Sequence, residues 1–485
     1  MKNSAKNKLN RRELLNLFTK AGTVSLMGSA LPGQLALGAP GSDNKFCLYI
    51  HMGSWSGMAA GLLQPQDVGK YATGVFYRDN NRGSDNPNIN VHHKDGNLVF
   101  NNYTKVLAPI ADHLCFGVGN PMSISHEVAR AYQQTGGNRG SRNAAWVTGV
   151  AQALSDVYPK TGIVQATGMG GQLNNATSNV TVVSGGTTEA FRQSFQDLPQ
   201  VPNNAMAQSF FKKQQEMFKT NQAFAAIPNS TIVSASHAVE SLSQGIPDLA
   251  GNSPLVQEIN TAINRQRVNQ AIDTEITNAN DGAAVKQRPY DNLLSQLQLA
   301  AALAKGKYAQ GLFVQLDLQD FHQGGADVIT ARSGAQVFAQ LNVFWQWVKA
   351  QNLQDDIMVI VSHEFSRTAY NGRRNGTMNV MAGGNQVRVS AQGKDHWPVM
   401  GMVFLNGKVP PKSRVGGIQD GYLAAGSDGF DGVANPNIPA YSSTQLVGSM
   451  LMRIWPDIFP NEATVKKYWR SFNDSNQRPI KSLLG

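Results

Sequence analysis

The sequence predicts an α/β fold: a mostly parallel sheet sandwiched by helices, with a helical insertion. Three observations carry this. Short, near-continuous apolar runs recur along the chain, and strands that read this way are buried on both faces, as in parallel sheets. Amphipathic helical patterns stand between those runs, and helix–strand alternation is how parallel strands are connected. One stretch, residues 187–281, breaks the alternation: it is rich in Gln and Asn, helical in pattern and poor in strand signals.

The elements follow in chain order. Lys45–His51 (KFCLYIH) reads as a buried strand ending at Gly53, and His113–Val118 as a second, closed by Gly119-Asn120-Pro121. Gly162–Ala166 reads as a third. Tyr290–Lys305 carries Leu293, Leu294, Leu297 and Leu303 at helical spacing and leads into a strand over Gly311–Leu318. Ala335–Ala350 places Val337, Phe338, Leu341, Phe344, Trp345 and Val348 on one apolar face and leads into Asp356–Ser362. That aromatic stripe reads as core. Val399–Leu405 is a late strand, and Thr444–Trp455 a closing helix stopped by Pro456. Residues 40–186 and 282–485 are thus read as two parts of one α/β domain, interrupted by the helical insertion or cap at 187–281.

The chain of 485 residues is 41% hydrophobic, enough for a sizeable core and too much for a wholly disordered chain. Beyond the N-terminus no apolar run of about 18 residues occurs, which excludes a polytopic membrane protein. Met1–Lys20 is basic: Lys2, Lys6, Lys8, Arg11, Arg12 and Lys20 face only Glu13, which accounts for half of the formal charge of +10. The small, apolar stretch Ala21–Ala39 follows. This order, charged then apolar, marks residues 1–39 as an export signal. Within it Asn10-Arg11-Arg12-Glu13-Leu14-Leu15 resembles a twin-arginine signal, so the expected partner is the twin-arginine export machinery and the expected location the periplasm or cell surface. The rest of the positive charge forms no dense block, zinc-finger spacing or aromatic-interleaved basic helix, so nucleic acid is not an expected partner. Cys47 and Cys115 make no disulfide framework. Both sit in apolar segments and read as buried thiols, with one bridge between adjacent strands left open for an oxidising compartment.

In an open α/β sheet, ligands bind beyond the carboxyl ends of the strands. Immediately after the Gly311 strand come Asp317, Asp320 and His322; after the Asp356 strand come His363, Glu364, Ser366 and Arg367. Asp395-His396 stands just before the Val399 strand, Ser123, Ser125 and His126 follow the second strand, and His51, Ser54 and Ser56 end the first. Five segments thus deliver carboxylates, imidazoles and hydroxyls to one predicted sheet edge. Imidazole nitrogen with carboxylate oxygen is a donor set for Zn or a similar divalent ion. Such an ion polarises an ester or activates water. Ser125, at a predicted helix start, suits a nucleophile meeting a bound anion.

These segments, in this order, resemble the bacterial domain-of-unknown-function family 1501 of the alkaline-phosphatase/sulfatase-like superfamily, from the signal almost to the C-terminus. The resemblance is carried by Gly53-Ser54-Trp55-Ser56-Gly57, Ser125-His126, Thr135-Gly136, Ala145-Trp146-Val147-Thr148-Gly149, Asp320-Phe321-His322, His363-Glu364-Phe365-Ser366-Arg367-Thr368 and Gly393-Lys394-Asp395-His396-Trp397. It implies an alkaline-phosphatase-like fold with divalent metal (Zn, Mn, Ca or Mg) held by Asp320, His322, Glu364, Asp395 and His396. Catalytic roles fall to Ser125 and His126, with Arg367 clamping an anion. The resemblance implies a pair of metals, but where the family pattern has an acidic residue this chain has Ser56. A hydroxyl is a poor ligand for a divalent ion, so one of the two metal positions is expected to be weakened or missing, leaving one metal rather than two. Ser366 and Trp397 stand where the pattern has glycine. No Cys-x-Pro-x-Arg or Ser-x-Pro-x-Arg run occurs, which disfavours a formylglycine sulfatase.

Two functions are therefore expected. One is an exported metal-dependent hydrolase acting on a small phosphate or sulfate ester. The other is a catalytically degenerate protein of the same fold, binding or assembling with a cell-envelope component. In either case the mature chain is expected to carry no transmembrane helix.

Overall fold

The structure is a computed structural model. It describes residues 45–53, 55, 93–137, 143–157, 162–167, 180–196, 249–276, 279–287, 291–316, 318, 326–367, 377–382, 385–390, 396–419, 423–472 and 478–484. The export signal, Ser56 and the centre of the proposed insertion, residues 197–248, lie outside the described residues.

The strands that matter for the site are β1 (Phe46–His51), β2 (Leu114–Gly119), β3 (Gly162–Thr167), β4 (Val180–Ser184), β5 (Gly311–Gln315), β6 (Ile357–Ser362), the short β7 (Ser366–Arg367) and β8 (His396–Trp397), β9 (Met400–Leu405) and β10 (Ser413–Val415). Eight form one sheet in the order β10-β2-β9-β6-β1-β5-β3-β4. The helices, in chain order, are α1 (His126–Thr135), α2 (Trp146–Val157), α3 (Thr188–Gln196), α4 (Pro254–Ala262), α5 (Arg265–Glu275), α6 (Ala279–Lys286), α7 (Asp291–Gly306), α8 (Ala326–Ala350), α9 (Ser443–Ile454), α10 (Glu462–Tyr468) and α11 (Lys481–Leu484).

The predicted mostly parallel α/β sheet is observed. β1 lies between β6 and β5 and is parallel to both. Every residue of β1 and β6 is buried. Their side chains alternate between two cores, which is why neither strand alternates apolar with polar. Phe46, Leu48, Ile50, Ile357, Val359 and Val361 join one core with α7 and α8. Cys47, Tyr49, Met358 and Ile360 join the other with α2, α9 and α10. Burying each such apolar side chain contributes roughly 1.5–3 kcal/mol, so a strand covered on both faces is held twice over. Cys47 and Cys115 are free, buried thiols, one on β1 and one on β2. Burial pushes both thiols well above the ordinary range.

One strand runs against the rest. β9 pairs antiparallel with both β2 and β6. Its beginning therefore lies at the edge where the parallel strands end.

The predicted boundaries hold with two informative shifts. The strand expected over Gly311–Leu318 stops at Gln315, because Leu318 N–H turns back to the Leu316 carbonyl at 3.0 Å. The helix expected from Ala335 begins at Ala326. Its first turns carry Asp327, Thr330, Arg332 and Ser333 rather than an apolar stripe, so periodicity alone does not reveal them. They are anchored instead by Trp55, whose Nε1 donates to the Thr330 carbonyl at 2.9 Å. A Cβ at Gly334 would stand 2.6 Å from that indole, so the position requires glycine. α9 begins one residue before the prediction, with Ser442 and Gln445 forming a capping box.

Candidate functional site

The site is built from four segments at the carboxyl edge of the sheet. The chain leaves β1 through Met52 and Gly53, and β6 through His363 and Glu364. The two exits are joined: Met52 N–H donates to the Ser362 carbonyl at 2.8 Å, and Glu364 N–H to the Gly53 carbonyl at 3.2 Å. Gly53 turns the chain with φ 52°, a left-handed conformation that favours glycine. The third segment is α1, whose N-cap is Ser125. The fourth is β8, which reaches this edge because β9, the strand after it, is antiparallel. β8 pairs with β7, setting His396 opposite Arg367 and Trp397 opposite Ser366. The two positions where the resemblance predicts glycine are thus cross-strand neighbours.

Glu364 is the centre of the arrangement. Its side chain is fully buried. Oε1 accepts from Arg130 Nε at 2.9 Å and from Arg130 Nη2 at 2.7 Å. Oε2 accepts from His126 Nδ1 at 2.5 Å. The His126 ring lies edge-on to His396, with centroids 4.4 Å apart. Phe365 packs on both, 5.0 Å from His126 and 4.3 Å from His396. His396 Nδ1 donates to the Ile124 carbonyl at 2.5 Å, tying β8 to the turn that precedes α1.

Two further histidines flank this group. His363 accepts the Gly401 N–H on Nε2 at 2.8 Å, so its proton is on Nδ1, facing the Phe365 carbonyl at 3.2 Å. Both ring nitrogens are engaged and the residue is a structural link between β6 and β9. Burial pushes its pKa down to about 4. His51 is different. Tyr49 donates its hydroxyl proton to the Gln133 carbonyl at 2.6 Å, so it must accept from Ser362 Oγ, also at 2.6 Å. Ser362 Oγ then has only lone pairs for His51 Nδ1 at 3.0 Å, and that nitrogen must carry the proton. Nε2 is left with the lone pair and, among the described residues, has no hydrogen-bond partner. Burial first, then the positive field of Arg130, push the His51 pKa down to about 3, so the ring is neutral.

The structure brings together three of the predicted site residues, His126, Glu364 and His396. Ser125 is at the same place, exposed at the head of α1, with no capping bond from its side chain. Of Arg367 only the backbone is described, in the pair with His396. Asp320, His322 and Asp395 lie outside the described residues. Arg130 was not anticipated; its signal was present in the sequence, since a residue four positions after His126 shares its helix face. The lone-pair nitrogen of His51 could not be found that way, because it follows from a hydrogen-bond chain across three segments.

Among the described residues no group of three or more His, Cys, Asp or Glu stands ready to hold a metal ion. His126 and His396 nevertheless have the character of metal-binding imidazoles. Each gives an Nδ1 proton to an oxygen acceptor, so that whenever the ring is neutral Nε2 is the lone-pair nitrogen. Outer acceptors of this kind commonly orient metal-ligating histidines. The two imidazoles therefore fit a borderline divalent ion such as zinc as part of a ligand set.

No family model matches the chain, and no curated protein matches it. Among solved structures it is similar to Ps i-CgsB, with TM-score 0.32 and 12% identity over 90% of this chain and 77% of that one. The same protein in complex with k-i-k-neocarrahexaose gives TM-score 0.31 and 11% identity, again over 90% and 77%. PsFucS1 sulfatase from Pseudoalteromonas sp. gives TM-score 0.27 and 10% identity over 81% of this chain and 68% of that one. Likenesses of this size establish neither a shared family nor a shared activity.

Proposed function

We propose that the chain is an exported, metal-dependent hydrolase of phosphate or sulfate esters on an alkaline-phosphatase-like fold. The observation that supports this is the convergence of His126, Arg130, Glu364 and His396, from three segments, at the carboxyl edge of a mostly parallel sheet. His126 and His396 would hold the ion, joined by Asp320, His322 and Asp395 as the resemblance implies. When bound, the ion supplies Lewis-acid polarisation of the ester. Ser125 offers an exposed hydroxyl at a helix N-terminus, where an attacked anion is favoured by the backbone N–H groups. Arg367 would clamp the anion. Export by the twin-arginine route places the protein in the periplasm or at the cell surface. No helix among the described residues is long and apolar enough to cross a membrane.

The test is metal analysis of protein purified without chelator, followed by turnover of nitrophenyl phosphate and nitrophenyl sulfate. Asp320→Ala and His396→Ala are the controls. Bound metal and turnover that falls at least a hundredfold in both variants are expected. Absence of metal, or turnover indifferent to both changes, rejects the hydrolase. The second reading, a binding or assembly protein of the same fold, is favoured by one observation: the buried Glu364 carboxylate is already neutralised by Arg130. Tight binding to an envelope component without turnover is its expected result.

A further inference from the structure

We infer that Glu364 is a positioning residue that sets the tautomer of His126, and not a ligand of the metal. This rests on the hydrolase reading only for what His126 goes on to hold. The geometry supplies the reason. An ionised carboxylate has about four lone-pair positions. Three are used: two on Oε1 by the Arg130 fork and one on Oε2 by His126 Nδ1. An ion on the last position would bring a double positive charge within a few ångströms of the Arg130 guanidinium, in a setting where the carboxylate is fully buried. Like charges that close, poorly screened, repel strongly. The same carboxylate can accept but not donate, so His126 Nδ1 must carry a proton, and in the neutral ring Nε2 then carries the lone pair. Arg130 orients the carboxylate, and Glu364 in turn orients the imidazole. This is a carboxylate–histidine pair of the kind that stands behind a metal.

The experiment is nitrogen-15 NMR of the histidine side chains in the full chain after chelator treatment. The His126 signals are assigned by their loss in His126→Asn. In the wild type His126 is expected as the Nδ1–H tautomer. Glu364→Met, which removes both acceptors, is expected to shift His126 toward the Nε2–H form, with Arg130 free to turn outward because it is already 36% exposed. Glu364→Gln keeps one acceptor oxygen and is expected to restore the wild-type tautomer. In parallel, equilibrium dialysis against zinc is expected to show Glu364→Gln retaining the ion with roughly 10–100-fold weaker affinity, while His396→Ala loses it. An Nε2–H wild type overturns the proposal, and that measurement needs no variant to fold. Loss of zinc in Glu364→Gln as complete as in His396→Ala, with the His126 signals unmoved, also overturns it. If no form binds zinc but the tautomer follows residue 364, the positioning role stands and the hydrolase reading fails.

Discussion

Acidification tests the two buried histidines quantitatively. His363 and His51 are fully buried in the folded state, with pKa values pushed down to about 4 and about 3. Unfolded, each returns to the ordinary value near 6.5. The folded pKa is the lower one, so the stability each neutral ring contributes is fully present above pH 6.5. It is lost as the pH falls toward the folded value, because the unfolded chain takes up the proton and the folded chain does not. Each histidine then costs about 1.4 kcal/mol per pH unit. Together they cost about 2.7 kcal/mol per unit, or on the order of 5 kcal/mol between pH 6.5 and 4.5. A typical domain has only about 5–15 kcal/mol in total, so cooperative acid unfolding is expected above pH 4. The assay is urea denaturation followed by tryptophan fluorescence at half-unit pH steps. His363→Asn removes one titrating ring and is expected to flatten the slope by about 1.4 kcal/mol per unit. A slope in His363→Asn equal to the wild type would refute the reasoning, since burial would then not be holding the ring neutral.

Three further outcomes are expected. Arg130→Met strands the buried Glu364 carboxylate and is expected to destabilise the fold by about 3–5 kcal/mol. The Arg130→Met/Glu364→Met double variant should recover most of that loss in thermal denaturation, and simple additivity would contradict the pairing. Gly334→Ala forces a Cβ against the Trp55 indole and is expected to cost about 1–3 kcal/mol, read as a lowered Tm together with a changed tryptophan emission. Ser442→Ala removes the N-cap of α9 and is expected to cost about 1 kcal/mol, read as a lowered Tm.

Much of the sheet was legible because its strands are apolar on both faces. KFCLYIH and DIMVIVS say so without any partner, and both became central strands. What could not be read was direction. Residues that precede a strand belong to the opposite edge from residues that follow one, unless that strand is reversed. His396 comes just before β9, and it meets His126 and Phe365 only because β9 is antiparallel. The expectation that both share an edge thus depended on a reversal that hydrophobic pattern does not encode. The site was legible as a list of residue types at strand ends, but not as a set of roles. Glu364 reads in the sequence as one more carboxylate among metal ligands. Its commitment to Arg130 and His126 is a matter of which side chain reaches which oxygen. His363, next to it, has the residue type of a ligand and the bonding of a strut.

The central place of β1 has a consequence for how the molecule is made. Phe46 pairs with Ile357 and Cys47 with Gly311, so both neighbours of the strand lie far along the chain. During synthesis at roughly 5–20 residues per second, a segment sticky on both faces waits tens of seconds for its first partner. A ribosome-bound chain in that interval presents an unpaired, hydrophobic ribbon to its surroundings. Shielding by a holdase, or early cover from the helices that emerge before residue 311, would keep the nascent product from clumping.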